Sequence, residues 1–291
     1  WKAGGEEVDG PMSPARVAAM LDEKMPKGAA AVAERVQAPE TGPLLAPNGK
    51  PSKLTRAQWE QVRTPEFKRW FGDWEKFALM QGGVLTDTDG EVSKVIDRET
   101  GEPLVVYHGT TAEFRAFSPK KKFYDSFWGP GFYFTDTVKD AEANYATIHS
   151  PDLNVRINAI ANREELDEDD VADAMVQNEG LILPVFLNIR KPMYVSPTYD
   201  ETKFANADPE EAWDVRSVAE DADVEGDRSF AEGIPRELHR RGYDGVIDRG
   251  AERFHLPYTA VATHFTALRP TQIKSAIANV GTYSARRHDI A

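Results

Sequence analysis

The strand-like run Val105-Val106-Tyr107 leads into His108, Gly109, Thr110 and Thr111. β-Branched and aromatic residues favour extended backbone. Glycine admits a tight turn or the close approach of a ligand, and a histidine at such a mouth donates or accepts a hydrogen bond near neutral pH. Taken alone, this is a strand ending at a turn. Gly129-Pro130-Gly131-Phe132-Tyr133-Phe134-Thr135 is a second such stretch, two glycines leading into an aromatic strand, with Asn144-Tyr145 beyond it. Thr263-His264-Phe265 followed by Gln272-Ile273 is a third. Two further groupings can carry chemistry. Glu165, Asp169 and Asp173, at helical spacing, can present carboxylates to a metal, although a solvated helical insertion accounts for them more simply. Lys120-Lys121-Lys122 with Phe123, Tyr124, Phe127 and Trp128 interleaves charge with rings, as a base-stacking surface or as a lid over a cleft; the lid is the preferred reading.

Composition narrows the choice. The 291 residues include no cysteine, which removes disulfides, zinc–thiolate sites and thiol nucleophiles together and fits a cytoplasmic protein. The net charge is −13, so the overall field does not attract nucleic acid. A nucleic-acid substrate needs a local basic patch, for which Lys120 to Lys122 and Arg236, Arg240 and Arg241 are the candidates; each also reads as an ordinary solvated face. No apolar run approaches the ~20 residues of a membrane span. The chain starts at Trp1 without a secretory signal, and the expectation is a piece of a longer polypeptide. Neither a Gly-x-Gly-x-x-Gly after a strand nor a phosphate loop with Gly-Lys-Ser/Thr is present, so a nucleotide is not held in either of those ways.

The elements that must position these residues follow from periodicity and punctuation. Residues 1–53 read as an N-terminal helix (Ser13 to Met25, with a second short one at Ala29 to Val36) and a Pro- and Gly-rich flexible linker. Residues 54–291 read as one domain. Its first part, 54–80, carries a helix capped by Thr55 and another capped by Thr64 with Pro65 at its first position. Phe67, Trp70, Phe71 and Trp74 recur there at helical spacing, as a face that docks on the rest. The core spans 92–290. Val92 to Ile96 and Leu104 to Tyr107 are expected to form a hairpin around Glu99-Thr100-Gly101, and Phe114 and Phe117 to be core aromatics. Thr137 is placed to cap a helix holding Ala141, Ala143, Tyr145 and Ala146. Acidic insertions fall at about 150–179 and 199–228. Leu181 to Ile189 reads as a buried strand in which Pro184 demands a bulge or an unpaired edge, and Met193 to Val195 follows it. Ile234 to Arg241 reads as a helix, with strand sequence at Val246-Ile247 and Tyr258 to Leu268. Short strands with few helices between them predict an α+β fold with a mixed or antiparallel sheet and peripheral helices.

In order and character, Tyr107-His108-Gly109-Thr110, Gly131-Phe132-Tyr133-Phe134-Thr135 with Asn144-Tyr145, and His264 to Gln272-Ile273 resemble the ADP-ribosyltransferase fold of the diphtheria-toxin and poly(ADP-ribose) polymerase lineage, with its His-Tyr-Glu signature. The chain is more closely similar to the ADP-ribosyltransferase domains of polyvalent proteins from phages and conjugative elements. That likeness is carried by Arg63-Thr64-Pro65-Glu66-Phe67 with Trp70-Phe71-Gly72-Asp73-Trp74, Val106-Tyr107-His108-Gly109-Thr110, Tyr243-Asp244-Gly245-Val246-Ile247 and Gln272-Ile273-Lys274-Ser275-Ala276 with Asn279 and Gly281; it covers about residues 54 to 290. The resemblance implies a split β-sheet and NAD as substrate, with no metal. It also implies transfer of a single ADP-ribose to a macromolecular acceptor, a protein rather than nucleic acid. The setting it implies is an effector domain of a phage or mobile element, acting in the bacterial cytoplasm. His108 then hydrogen-bonds the adenosine-side ribose, the Gly109 backbone holds the nicotinamide amide where a side chain would clash, and Thr110 lines the same wall. Tyr133 packs at the nicotinamide end and Tyr145 stacks its ring.

One position departs from the family pattern. A glutamate commonly begins the strand before the Gln-Ile element and holds the ribose hydroxyl near the reacting carbon; counting back from Gln272-Ile273, the matching residue is His264. A neutral imidazole still hydrogen-bonds a hydroxyl, whereas a protonated one opposes an oxocarbenium. His264, Gln272 and Glu252 all remain open for the third catalytic position. A catalytically inactive NAD- or partner-binding domain of a larger polyprotein and an NAD glycohydrolase stand as the alternatives to transfer.

Overall fold

A computed structural model describes residues 42–80, 91–112, 114, 116–118, 128–147, 150–176, 180–197, 227–250 and 262–277. Seven strands, β1 (Val106–Thr110), β2 (Phe132–Thr135), β3 (Leu181–Leu187), β4 (Pro192–Val195), β5 (Gly245–Asp248), β6 (His264–Ala267) and β7 (Ile273–Ser275), form one sheet in the order β4-β5-β6-β2-β1-β3-β7. Only β4–β5 is parallel, so the sheet is mixed as expected. The split implied by the resemblance does not break this order. The thinnest join is β1–β2, with the single register pair Tyr107↔Thr135, against five pairs for β1–β3 and four for β2–β6.

Register sorts the side chains onto two faces, because strand neighbours alternate and directly paired residues share a side. Val106, Phe132, Phe134, Leu183, Val185, Phe265 and Ala267 lie on one face and form the main core with Val95 and Phe117. The other face takes the helices. α4 (Val138–Tyr145) lies over Tyr107 and Ile182. α7 (Asp227–Arg240) buries Ile234 and Leu238 against Met193, Val195 and Val246.

At the β3 end, α1 (Arg56–Arg63), α2 (Pro65–Phe71) and α3 (Trp74–Met80) dock as the aromatic spacing predicts. Thr55 and Gln58 form a capping box, and Thr64 caps α2 ahead of Pro65. Phe67, Trp70, Phe71 and Trp74 bury against Phe186 and Ala276. They do not share one helix, however. The chain breaks at Gly72 (φ 106°), where a Cβ would lie 2.5 Å from the Glu91 carbonyl, and Trp74 opens α3. Arg63 is buried among these helices. It pairs with Glu102 (2.9 Å) and Glu75 (3.0 Å) and stacks on Trp59, while Ser52 donates to the other Glu102 oxygen.

Several expectations change. Val92 to Ile96 is not a strand: the Ser93 and Lys94 amides bond to Phe71 and Ile189, so only the bridge Ile96↔Pro103 closes the turn. Pro184 lies in β3 without a bulge, since its β1 register runs unbroken. Its carbonyl accepts from Ala276 on the β7 flank, just past the last β7 pair, so the missing N–H faces an unpaired edge there. Thr137 precedes α4 but makes no cap; its hydroxyl donates to Asp136 instead. The acidic insertion is two packed helices, α5 (Pro151–Glu164) and α6 (Glu168–Met175). Glu165 is a left-handed C-cap and Asp167 restarts the chain, so Glu165, Asp169 and Asp173 do not lie along one helix. Among the described residues no group of acidic and histidine side chains is arranged to hold a metal, and no helix is long and apolar enough to cross a membrane. Trp128, read as part of a lid or stacking loop, is core: it packs with Met193 and Val246, and its indole donates to Asp248. The readings at 1–41, Lys120 to Lys122, 199–226, Glu252, Asn279 and Gly281 lie outside the described residues.

Candidate functional site

The site residues meet where β1 and β2 join. Gly109 needs to be glycine for a packing reason. A Cβ there would lie 2.5 Å from the Ala141 carbonyl and 2.7 Å from the Tyr145 Cβ, so the clash is with α4 rather than with a ligand. That close approach sets Tyr145, the last residue of α4, over the strand. The Tyr145 ring meets His264 edge-on at 6.2 Å. His264 opposes Thr135 in β2 and Asp248 in β5. Tyr133, two residues before Thr135, shares that face; it packs against the buried cluster that includes Trp128, Met193 and Val246, and its hydroxyl donates to the Gly129 carbonyl at 2.5 Å. Gly109, Tyr133, Tyr145 and His264 are therefore gathered on the helix-bearing face.

His108 stands on the opposite face of β1. Its ring lies against Phe117, Phe134 and Phe114, at 5.0, 5.5 and 6.0 Å. Its Nδ1 reaches the Tyr133 carbonyl at 2.9 Å, bridging the strands one residue beyond their only register pair. Burial pushes its pKa down to about 4; the bond to the Tyr133 carbonyl pulls the other way, and Arg156 adds to the lowering. A neutral imidazole has one donor nitrogen, and a carbonyl only accepts. Nδ1 therefore carries the proton and Nε2 the lone pair.

Thr110 does not line the wall with Gly109. It lies on the other face of β1, and its hydroxyl accepts from the Ala112 amide. Gln272 is engaged by four backbone groups. Its oxygen accepts from the Leu268 and Arg269 amides, and its nitrogen donates to the Asn188 and Asp244 carbonyls. Both lone pairs and both hydrogens are spent tying the β6–β7 corner to the start of β4 and β5.

One residue of the site escaped sequence reasoning. Asp140, fully buried in the first turn of α4, bonds through Oδ2 to His264 Nε2 at 2.8 Å and accepts through Oδ1 from the Asn144 side chain at 2.7 Å. The only signal was its helical spacing to Asn144; nothing local links it to a histidine far along the chain. The basic candidates Arg240 and Arg241 both pair with Glu237, and Arg240 with Arg241 beside it holds that carboxyl down at about 2.

A family model described as ADP-ribosyltransferase in polyvalent proteins matches residues 98–283. That stretch contains every strand, together with His108, Gly109, Tyr133, Tyr145 and His264; helices α1–α3 precede it. No curated protein and no solved structure matches. The match covers well over half of the sequence in the order that the three motifs and the sheet require, and the chain belongs to the ADP-ribosyltransferase family of polyvalent proteins.

Proposed function

We propose that the chain is a mono-ADP-ribosyltransferase that uses NAD as its substrate and transfers ADP-ribose to a macromolecular acceptor, a protein rather than nucleic acid. Its setting is an effector domain of a phage or mobile-element protein, acting in the bacterial cytoplasm. The observation that carries this reading is the gathering of Gly109, Tyr133, Tyr145 and His264 on one face at the β1–β2 join, with His108 bridging that join.

The chemistry fits these groups. Transfer breaks the bond between the nicotinamide nitrogen and the ribose carbon, and the nicotinamide leaves with the electron pair. A nucleophile of the acceptor then bonds to that carbon. Positioning and electrostatics supply the catalysis. His108, on the opposite face of β1 among three phenylalanines, contributes by holding the β1–β2 join through its bond to the Tyr133 carbonyl. The Gly109 backbone takes the nicotinamide amide, and Tyr133 and Tyr145 hold the ring between them. Gln272, committed to the backbone, is left out, and His264 is the candidate for the third position.

The test is incubation with NAD labelled on the adenylate side, with and without cell lysate, while nicotinamide is measured. The expected result is nicotinamide release with single ADP-ribose units on lysate protein, the label being lost to protease and not to nuclease. His108→Ala and Tyr133→Ala lose this activity while staying folded. The histidine in place of the family glutamate favours one second reading, an NAD-binding domain without turnover. For that reading NAD raises the melting temperature and no nicotinamide appears. Absence of both effects overturns the proposal.

A further inference from the structure

We propose that Asp140 is a positioning residue for this reaction: it holds His264 with its proton on Nε2, so that the imidazole takes the place of a glutamate as hydrogen-bond acceptor. The inference rests on the NAD-cleaving reading above. Its starting point is a buried polar chain with no packing rationale. The Asp140 and Asn144 side chains are both fully buried, and His264 is 7% exposed. They connect as His264 Nε2 to Asp140 Oδ2 at 2.8 Å and Asn144 Nδ2 to Asp140 Oδ1 at 2.7 Å. Burying a carboxylate is costly, and an apolar set of the same volume stabilises a fold as well or better. The helix that carries Asp140 and Asn144 also carries Tyr145, whose ring abuts His264. The chain of bonds therefore sits beneath the reacting end of the site rather than in the general core.

The chemistry of each atom sets the rest. A carboxylate oxygen only accepts, so His264 Nε2 is the donor of the pair. The neutral ring then carries its lone pair on Nδ1. A ribose hydroxyl beside the breaking bond needs an acceptor for its proton, which a glutamate carboxylate would provide and Nδ1 of this tautomer also provides. Charge follows the same logic. A lone imidazolium opposes a developing oxocarbenium, whereas an imidazole held against the Asp140 carboxylate places no isolated positive charge behind that carbon. Asp248, opposite His264 in β5, adds a second buried carboxylate on the same row, engaged by Trp128 and the Gly250 amide. Asp140 thus does through His264 what the family glutamate does directly.

The experiment compares wild type, Asp140→Asn, His264→Glu and the double variant His264→Glu/Asp140→Asn. It follows nicotinamide release for kcat and KM, melting with and without NAD, and long-range proton–nitrogen spectra of 15N-histidine-labelled protein. Asp140→Asn keeps the shape and removes the charge. Its kcat is expected to fall roughly 10²-fold, with KM and the NAD-induced melting shift little changed, and the His264 signals are expected to leave the Nε2–H tautomer pattern seen in wild type. His264→Glu alone sets two carboxylates against each other and is expected to lose activity relative to wild type. The double variant relieves that repulsion and is expected to release nicotinamide at least about tenfold faster than His264→Glu. Asp140→Asn with wild-type kcat, or with NAD binding and stability lost in step with kcat, overturns the inference while the proposed function stands. An Nδ1–H tautomer at His264 in wild type overturns it independently of activity. A wild-type chain that binds NAD and never releases nicotinamide overturns the functional reading and this inference with it.

Discussion

The two histidines of the site are held in opposite ways. His108 lies among three phenylalanines and bonds to a carbonyl. His264 lies against a tyrosine and bonds to a buried carboxylate. At His108 an apolar wall makes charging expensive, so the ring stays neutral and its tautomer follows from one backbone oxygen. At His264 the orientation comes from a chain of polar side chains, each of which must stay satisfied. The first solution is local and forgiving of the partner's identity. The second couples three residues, none of which can change alone without stranding another.

Removal of each ring tests that contrast most strongly. His264→Phe strands the Asp140 carboxylate and is expected to cost about 3–5 kcal/mol of unfolding free energy in urea titrations. Adding Asp140→Leu recovers part of that loss. His108→Phe leaves only a carbonyl unpaired and is expected to cost about 1–3 kcal/mol. Equal losses at the two positions break the comparison.

Acid sharpens it next. The folded pKa of His108 is about 4 and its unfolded value about 6.5, so between those values the unfolded chain binds more protons. The stability from keeping His108 neutral is fully present above pH 6.5 and is lost as the pH falls toward 4, up to about 3 kcal/mol. Melts at pH 7 and pH 5 should show a larger drop for wild type than for His108→Gln, whose amide keeps the bond to Tyr133 without titrating. An equal drop in both removes His108 as the source.

Gly109→Ala asks whether the two regions are mechanically joined. The added methyl meets the Ala141 carbonyl and the Tyr145 Cβ, and is expected to cost about 1–3 kcal/mol. Because it displaces α4, it should lower nicotinamide release beyond what the stability loss explains; unchanged release means that the strand and the helix move independently. The smallest effect is expected at Tyr133→Phe, which loses the hydroxyl bond to Gly129 for about 1 kcal/mol and keeps the ring. Its nicotinamide release should stay within a few-fold of wild type, whereas Tyr133→Ala loses it.

The same contrast explains how much was legible in the sequence. His108 with Gly109, and Tyr133 with Tyr145, are short-range patterns on adjacent elements, so their strands and helix were legible and the resemblance supplied their candidate roles. The caps at Thr55 and Thr64 are local for the same reason. The Asp140–His264 bond joins residues far apart in the chain, and no composition or period encodes it. The surroundings of Gln272 were not legible, because an amide reads the same in a corner and in a cleft; its four backbone partners appear only in the fold. The missing strand at Val92 to Ile96 failed similarly. Its apolar alternation is real, but Phe71 and Ile189 compete successfully for its amides. Pro184 shows the converse, since a residue that argues against a central strand is accommodated where the neighbouring strand has just ended.

The buried Arg63 bears on where the domain can be cut. The family match opens at residue 98, inside the turn whose Glu102 carboxylate Arg63 neutralises and whose Asp97 Lys53 engages. Phe186, in β3 beside the edge strand β7, is covered by Phe67. A polypeptide beginning at the matched boundary would leave an acidic group sealed without its cation and an aromatic sheet surface open to water. A polypeptide that begins at about Leu45, where the Arg63 and Trp59 side chains anchor the first described turn, is expected to melt higher than one that begins at the matched boundary.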